Sequence, residues 1–158
     1  MAAQAVAGRG AGCGAVQGGD GLGGDAEQHV LAVELHQRYT ALPVTTYQRD
    51  EADESLVIAL ASAADKVLAA YRRGDQVIKL DAAKYDEGAR LYTKAAELAK
   101  DDIQLEAKAK FMTGRALVEN RQFATGISTL QQAIALDPEA AFAYNALGIA
   151  YMEQQRWN

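Results

Sequence analysis

Apolar residues recur at helical spacing from about Glu51 onward. Between residues 54 and 72 they fall on one face, and Arg72, Arg73 and Gly74 provide a C-terminal end. The same pattern predicts four further helices: from an Asp81 N-cap to about Lys100, from Ile103 to Glu119, from Phe123 to Leu136, and from Asp137–Pro138 to about Gln155. No segment after residue 51 alternates with period two. We therefore predict an all-α fold in which short connections make neighbouring helices antiparallel.

The pattern differs before residue 54. The first 24 residues hold 9 of the 14 glycines and almost nothing large to bury, so we predict a disordered Gly/Ala-rich tail over residues 1–27. This tail is either genuine or the result of a wrongly assigned start or a cloning remnant. We predict a linker or short irregular segment over residues 28–53, because Pro43 and the β-branched run after it favour extended backbone. A short helix from His29 to Tyr39 is the alternative.

The helices repeat. A shift of 34 residues relates Gly114 to Gly148, Leu117 to Tyr151 and Phe123 to Trp157. A shift of 38 residues relates the helix after Asp81 to the helix at 123–136. It aligns Tyr85, Gly88, Tyr92 and Ala95 with Phe123, Gly126, Leu130 and Ala133. Helix pairs repeating at this period indicate an α-solenoid. We divide it into a degenerate unit (54–100), a repeat (107–140) and a partial repeat (141–158).

The spacing of Tyr144, Leu147, Gly148 and Tyr151 resembles the first helix of the tetratricopeptide repeat family. The resemblance implies a right-handed α-α superhelix that serves as a protein–protein interaction or assembly module. It also implies that Gly114 and Gly148 lie where two helices cross closely. On that basis Gly148→Leu is expected to force two helices apart. Gly126→Ala is expected to be mild or stabilising, because the family prefers Ala at that position.

In this family the first helix of each unit lines a concave groove that holds a peptide. Mapping the groove positions onto this chain implies the partner-binding residues Lys108, Phe111, Arg115, Phe142, Asn145, Ile149 and Met152. The alternative is that some of them only pack against the next unit. Phe111 and Arg115 stand where the family's peptide-carboxylate clamp has Lys and Asn, so we do not expect binding to a chaperone tail.

Composition excludes several functions. The formal net charge of −5 argues against a nucleic-acid partner, and no apolar run is long enough to cross a bilayer. His29, His36 and Cys13 lack the further ligands or basic neighbours that a metal site or a reactive thiolate needs. The acidic residues are explained by helix capping and solvation. We therefore predict no catalytic residues and no cofactor, and a soluble protein that is cytoplasmic by default, or exported if the start is wrongly assigned.

The last predicted helix has no capping helix after it, whereas solenoids normally end with one. The sequence therefore suggests a fragment of a longer protein and self-association through this uncapped C-terminal helix. A competing hypothesis is that the chain is a regulatory or accessory region of a larger enzyme or exported protein whose working domain lies beyond Asn158.

Overall fold

The computed structural model describes residues 24–74 and 80–157, and these residues form six α-helices. Their bounds are α1 Gly24–Thr40, α2 Thr46–Arg73, α3 Ala82–Leu98, α4 Ile103–Glu119, α5 Phe123–Leu136 and α6 Ala141–Trp157. From α2 onward each helix packs against the next one along the chain, and α4 also touches α6. The predicted all-α helical-repeat fold is therefore confirmed.

The helix ends follow from their capping residues. Asp81 Oδ1 accepts the Lys84 N–H at 3.0 Å, and Asp102 Oδ1 accepts the N–H groups of Gln104 and Leu105. Gly74 ends α2 in the left-handed conformation, with φ of 61°, which costs glycine little. The predicted bounds of α4 and α5 are confirmed. The structure differs at α6, because Asp137 ends α5 and α6 begins only at Ala141.

The N-terminal region differs from the expected linker over residues 28–53, since α1 and the first turns of α2 occupy most of it. A capping box starts α2: the Thr45 hydroxyl accepts the Gln48 N–H, and the Gln48 side chain accepts the Thr45 N–H at 3.0 Å. The Pro43 run therefore leads into a helix cap. Residues 1–23, which hold most of the expected disordered tail and Cys13, lie outside the described residues, and α1 begins at Gly24.

The core lies between the helices from α2 to α6, and its largest fully buried side chains include Tyr85, Tyr92, Phe111 and Leu130. Helix α1 contributes less. Its Ala32 and Val33 pack against the core, while His36 Nε2 lies 2.5 Å from Asp53 Oδ1 of α2.

The two repeat glycines have different surroundings. A Cβ on Gly114 would lie 2.7 Å from Leu130 Cγ and 3.2 Å from the Gly126 carbonyl oxygen, so α4 and α5 cross closely there, as predicted. A Cβ on Gly148 would meet nothing within 4 Å. The predicted close crossing at Gly148 is therefore wrong, and so is the basis for expecting Gly148→Leu to separate two helices.

Candidate functional site

Three aromatic rings connect α2, α4 and α6. The ring centroids of Tyr71 and Phe111 are 5.1 Å apart, and those of Phe111 and Phe142 are 4.9 Å apart, both with edge-to-face geometry. We call these three residues the aromatic row. The contacts between these rings place α2, α4 and α6 side by side. We call the surface that these three helices share, with the aromatic row at its centre, the α2/α4/α6 face.

Arg115 of α4 lies next to the aromatic row and is only 5% exposed. Its guanidinium carbon is 5.6 Å from the centroid of the Tyr71 ring and 5.3 Å from that of Tyr85. Nη2 donates to Glu119 Oε1 at 2.6 Å, while Nε and Nη1 are buried and have no hydrogen-bond partner within the described part of the chain. The two aromatic rings and one carboxylate therefore hold this cation in place. Burial raises the pKa of Tyr71 and Tyr85, and the positive charge of Arg115 partly offsets this.

Glu119 has acidic neighbours as well as its arginine partner. Burial raises the pKa of Glu119, Arg115 partly lowers it, and the carboxylates of Glu153 and Asp81 raise it further. Three carboxyl groups, supplied by α4, by α6 and by the cap of α3, thus lie near one end of the α2/α4/α6 face together with Arg115.

A second polar cluster lies nearer the start of α4. Asp65 Oδ1 of α2 accepts a hydrogen bond from the Tyr92 hydroxyl at 2.5 Å and another from Lys108 Nζ at 3.1 Å. Lys108 Nζ is also 5.4 Å from the centroid of the Tyr92 ring. Burial and the hydrogen bond to Asp65 raise the pKa of Tyr92, so it stays a neutral donor. This cluster ties α2, α3 and α4 together beside the face.

The structure brings several sequence-predicted residues to this face but buries two of them. Phe111 and Arg115 are buried and form its floor, so they do not present an open surface to a partner. Lys108 is half-buried and paired with Asp65. Phe142 and Ile149 are half-buried. Asn145 is exposed, and its amide donates to the Tyr71 hydroxyl at 3.1 Å.

Met152 lies elsewhere. In the 34-residue repeat, Met152 is equivalent to Val118 of α4. Val118 is buried against α5, because its Cγ2 would lie 2.8 Å from a Cβ built on Gly126. This repeat position therefore faces the second helix of its own unit rather than the groove. Met152 is 61% exposed and lies one turn after Gly148, on the outer side of α6.

Sequence reasoning missed the contributions of α2 and α3, namely Asp65, Tyr71, Tyr85 and Tyr92. The groove positions were mapped only onto α4 and α6, where the 34-residue period is clear. The 38-residue offset does not carry over to α2, because the positions 38 residues before α4 are 65–81 and run past the end of α2 at Arg73. The tyrosines at 71, 85 and 92 were the available signal, since large aromatics next to a groove helix are candidates for its floor.

The described residues offer little for other chemistry. Within residues 24–74 and 80–157, no group of three or more His, Cys, Asp or Glu side chains could hold a metal ion. Across the same residues, none of the helices combines the length and the apolar character required to cross a membrane.

Comparison with known proteins gives one match. A family model described as TPR repeat matches residues 114–155, which cover the second half of α4, all of α5 and most of α6. No curated protein and no solved structure matches the chain.

Proposed function

We propose that this chain, in which residues 114–155 match the tetratricopeptide repeat, binds a peptide or partner protein through its α2/α4/α6 face. Repeats of this family generally mediate protein–protein interaction and are typically non-catalytic. The proposal is therefore an interaction or assembly module rather than an enzyme.

The observation that carries the proposal is the make-up of this face. The aromatic row gives it a rigid, packed floor, because Tyr71, Phe111 and Phe142 are held edge to face across three helices. Phe142, at one end of this floor, is half-buried, and next to it lie the half-buried apolar side chain of Ile149 and the exposed amide of Asn145. Apolar anchors next to a few polar groups on a preformed surface suit a peptide segment.

The charged side chains along α4 suggest how a bound partner is oriented on the α2/α4/α6 face. Lys108 and Glu119 are eleven residues apart on α4, or about 16 Å along the helix. The charge of Lys108 is matched by Asp65, whereas Glu119 has Glu153 and Asp81 nearby in addition to Arg115. We propose that the partner places an apolar side chain on Phe142 and Ile149 and a basic side chain toward Glu119 and Glu153.

The test places a photo-crosslinking amino acid at Asn145 and, as the control, at Glu97, which is exposed on α3. In an extract of the native organism, the Asn145 probe is expected to capture a discrete protein that the Glu97 probe does not. Unlabelled wild-type protein should compete for this capture, whereas unlabelled protein with Ile149→Asp should not. Equal capture from both positions, or equal competition by both unlabelled proteins, would refute the proposed face.

A further inference from the structure

One side of α6 carries a regular, uncharged and exposed set of residues. It consists of Ala141, Tyr144, Gly148, Tyr151 and Gln155, spaced alternately by three and four residues, and we call it the outer seam. Tyr144 is 50% exposed and Tyr151 is 43% exposed, although both are large aromatics and the Tyr151 hydroxyl accepts a hydrogen bond from Gln131 Nε2 of α5 at 3.3 Å. Alternating spacings of three and four are those by which one helix contacts another along its length. The outer seam therefore has the pattern of a helix-pairing surface.

The same chain shows how an equivalent surface is covered. On α4 the residues 34 positions earlier include Ala107 and Gly114, and both are buried. Helix α5 lies over this surface, with Leu130 Cγ 2.7 Å from the position of a Cβ on Gly114. On α6 the corresponding position at Gly148 is open. A helix that approached Gly148 would thus meet the same close-crossing geometry that α5 finds at Gly114.

Charge and side-chain size point to a second copy of α6 as the occupant. The outer seam contains no charged residue, so pairing two copies brings no like charges together. In an antiparallel pair centred on Ala146, Tyr144 of one copy lies opposite Gly148 of the other, and Tyr151 lies opposite Ala141. A single register therefore sets both large residues against both small ones, which is the complementarity that close helix packing needs.

We propose that two copies of this chain pair antiparallel through the outer seam of α6, with each tyrosine packed over a small residue of the other copy. The seam spans fifteen residues, and its two ends lie about 21 Å apart along the helix. Because a helix with its side chains is about 10 Å wide, one face of this length covers a few hundred Å², less than the roughly 800 Å² per partner of a standard interface. The pair is therefore reversible and depends on protein concentration. It does not depend on the function proposed for the α2/α4/α6 face.

The first test compares Tyr144→Glu with Tyr47→Glu in the full chain. Tyr47 is 75% exposed and lies on α2, outside the outer seam. Tyr47→Glu therefore introduces the same charge as Tyr144→Glu at a site that the proposed pairing does not use. Analytical ultracentrifugation over a dilution series should show reversible dimers for the wild type and for Tyr47→Glu. Tyr144→Glu should weaken dimerisation by roughly tenfold or more, because it places a charge in an apolar contact. A wild-type chain that is monomeric throughout, or dimers that persist in Tyr144→Glu, would overturn the proposal.

The second test measures the register by disulfide formation. Cys13 is replaced by Ser, and chains carrying Tyr144→Cys and Gly148→Cys are oxidised separately and as a mixture. The proposed register predicts that the mixed 144–148 disulfide forms faster than either homodimeric disulfide, because residues 144 and 148 of different copies are opposite each other. Faster 144–144 or 148–148 disulfides would indicate a different pairing and would overturn the register.

Discussion

Gly126 and Gly148 are both helical glycines, but they differ in what a side chain would meet. A Cβ on Gly126 would lie 2.8 Å from Val118 Cγ2 and 3.0 Å from the Gly114 carbonyl oxygen. The backbone oxygen cannot move without shifting α4 against α5. The expectation that Gly126→Ala is mild or stabilising therefore conflicts with the packing in this chain, whatever the family prefers at that position.

We accordingly predict that Gly126→Ala lowers the free energy of unfolding. Overpacking typically costs about 1–3 kcal/mol, which exceeds the gain of about 1 kcal/mol from better helix propensity. Gly148→Ala is the matched control, because it makes the same change in open space and should stabilise α6 by up to about 1 kcal/mol. Urea unfolding at low protein concentration measures both. A Gly126→Ala variant that unfolds at the same or a higher urea concentration than the wild type would contradict the close crossing.

Glu119 gives a prediction about pH. Its pKa is raised in the folded protein, chiefly by burial, so ionising it costs the folded state more than the unfolded state. Its contribution to stability is therefore full below the unfolded pKa and is lost as pH rises through the folded pKa. Glu119→Gln removes this loss, so the stability of the variant relative to the wild type should be greater at pH 7 than at pH 4. Urea unfolding at both pH values tests this, and an unchanged or reversed difference would contradict the raised pKa.

The burial of Phe111 and Arg115 shows where residue-level prediction from sequence stops. Their positions in the repeat suggested an open groove, and the periodicity of α4 correctly placed them on one helix. Their covering groups, however, are Tyr71 and Phe142 for Phe111, and Tyr71 and Tyr85 for Arg115. Tyr71 and Tyr85 belong to the degenerate unit, which the 34-residue period does not relate to α4, so this period does not bring them into the prediction.

At the scale of helices, the sequence predicts a helix correctly where it carries a regular apolar side or a recognised capping residue. Helices α4 and α5 have the predicted bounds because each presents a regular apolar side to its neighbours. Helix α1 was only an alternative, because Val30, Leu31 and Leu35 remain exposed and its contact with the core is small. The early start of α2 was missed although its Thr-x-x-Gln capping signal, Thr45 to Gln48, is present in the sequence.

The capping box of α2 can be tested by Thr45→Ala. Loss of an N-cap side chain costs about 0.5–2 kcal/mol, and here it removes the acceptor for the Gln48 N–H. Because the first turns of α2 are largely exposed, we expect faster amide hydrogen exchange in residues 46–52 with little change in global stability. Thr46→Ala is the control, since that residue is also exposed but does not cap the helix. Equal exchange in the two variants would show that Thr45 does not determine the start of α2.

At the scale of the whole molecule, α6 presents two surfaces, for which we propose separate roles. Phe142 and Asn145 connect it to the aromatic row, whereas Tyr144, Gly148 and Tyr151 form the outer seam. On α4 the corresponding surfaces are both covered, by Tyr71 and Phe142 on one side and by α5 on the other. Among the described residues, α4 and α6 therefore differ in that nothing covers Gly148, and supplying a cover should change both stability and assembly.

We predict this outcome for a chain in which Asn158 is replaced by a copy of residues 124–137. Trp157 occupies the repeat position of Phe123, so the added segment continues in the register in which α5 follows α4. Each Å² of apolar surface that the added helix buries contributes about 25 cal/mol, and α6 should unfold together with the rest of the molecule. We expect a higher midpoint of thermal unfolding, slower amide exchange around Tyr151, and a monomer at concentrations where the original chain dimerises.

The control carries the same extension with Asp in place of the copied Leu130, the residue that packs over the glycine of the first helix. This variant has the same length but cannot dock, because it would bury a carboxylate without a partner. It should keep the midpoint and the dimerisation of the original chain. If both extensions raise the midpoint equally, or if neither does, the surface around Gly148 does not accept a helix in the way that Gly114 accepts α5.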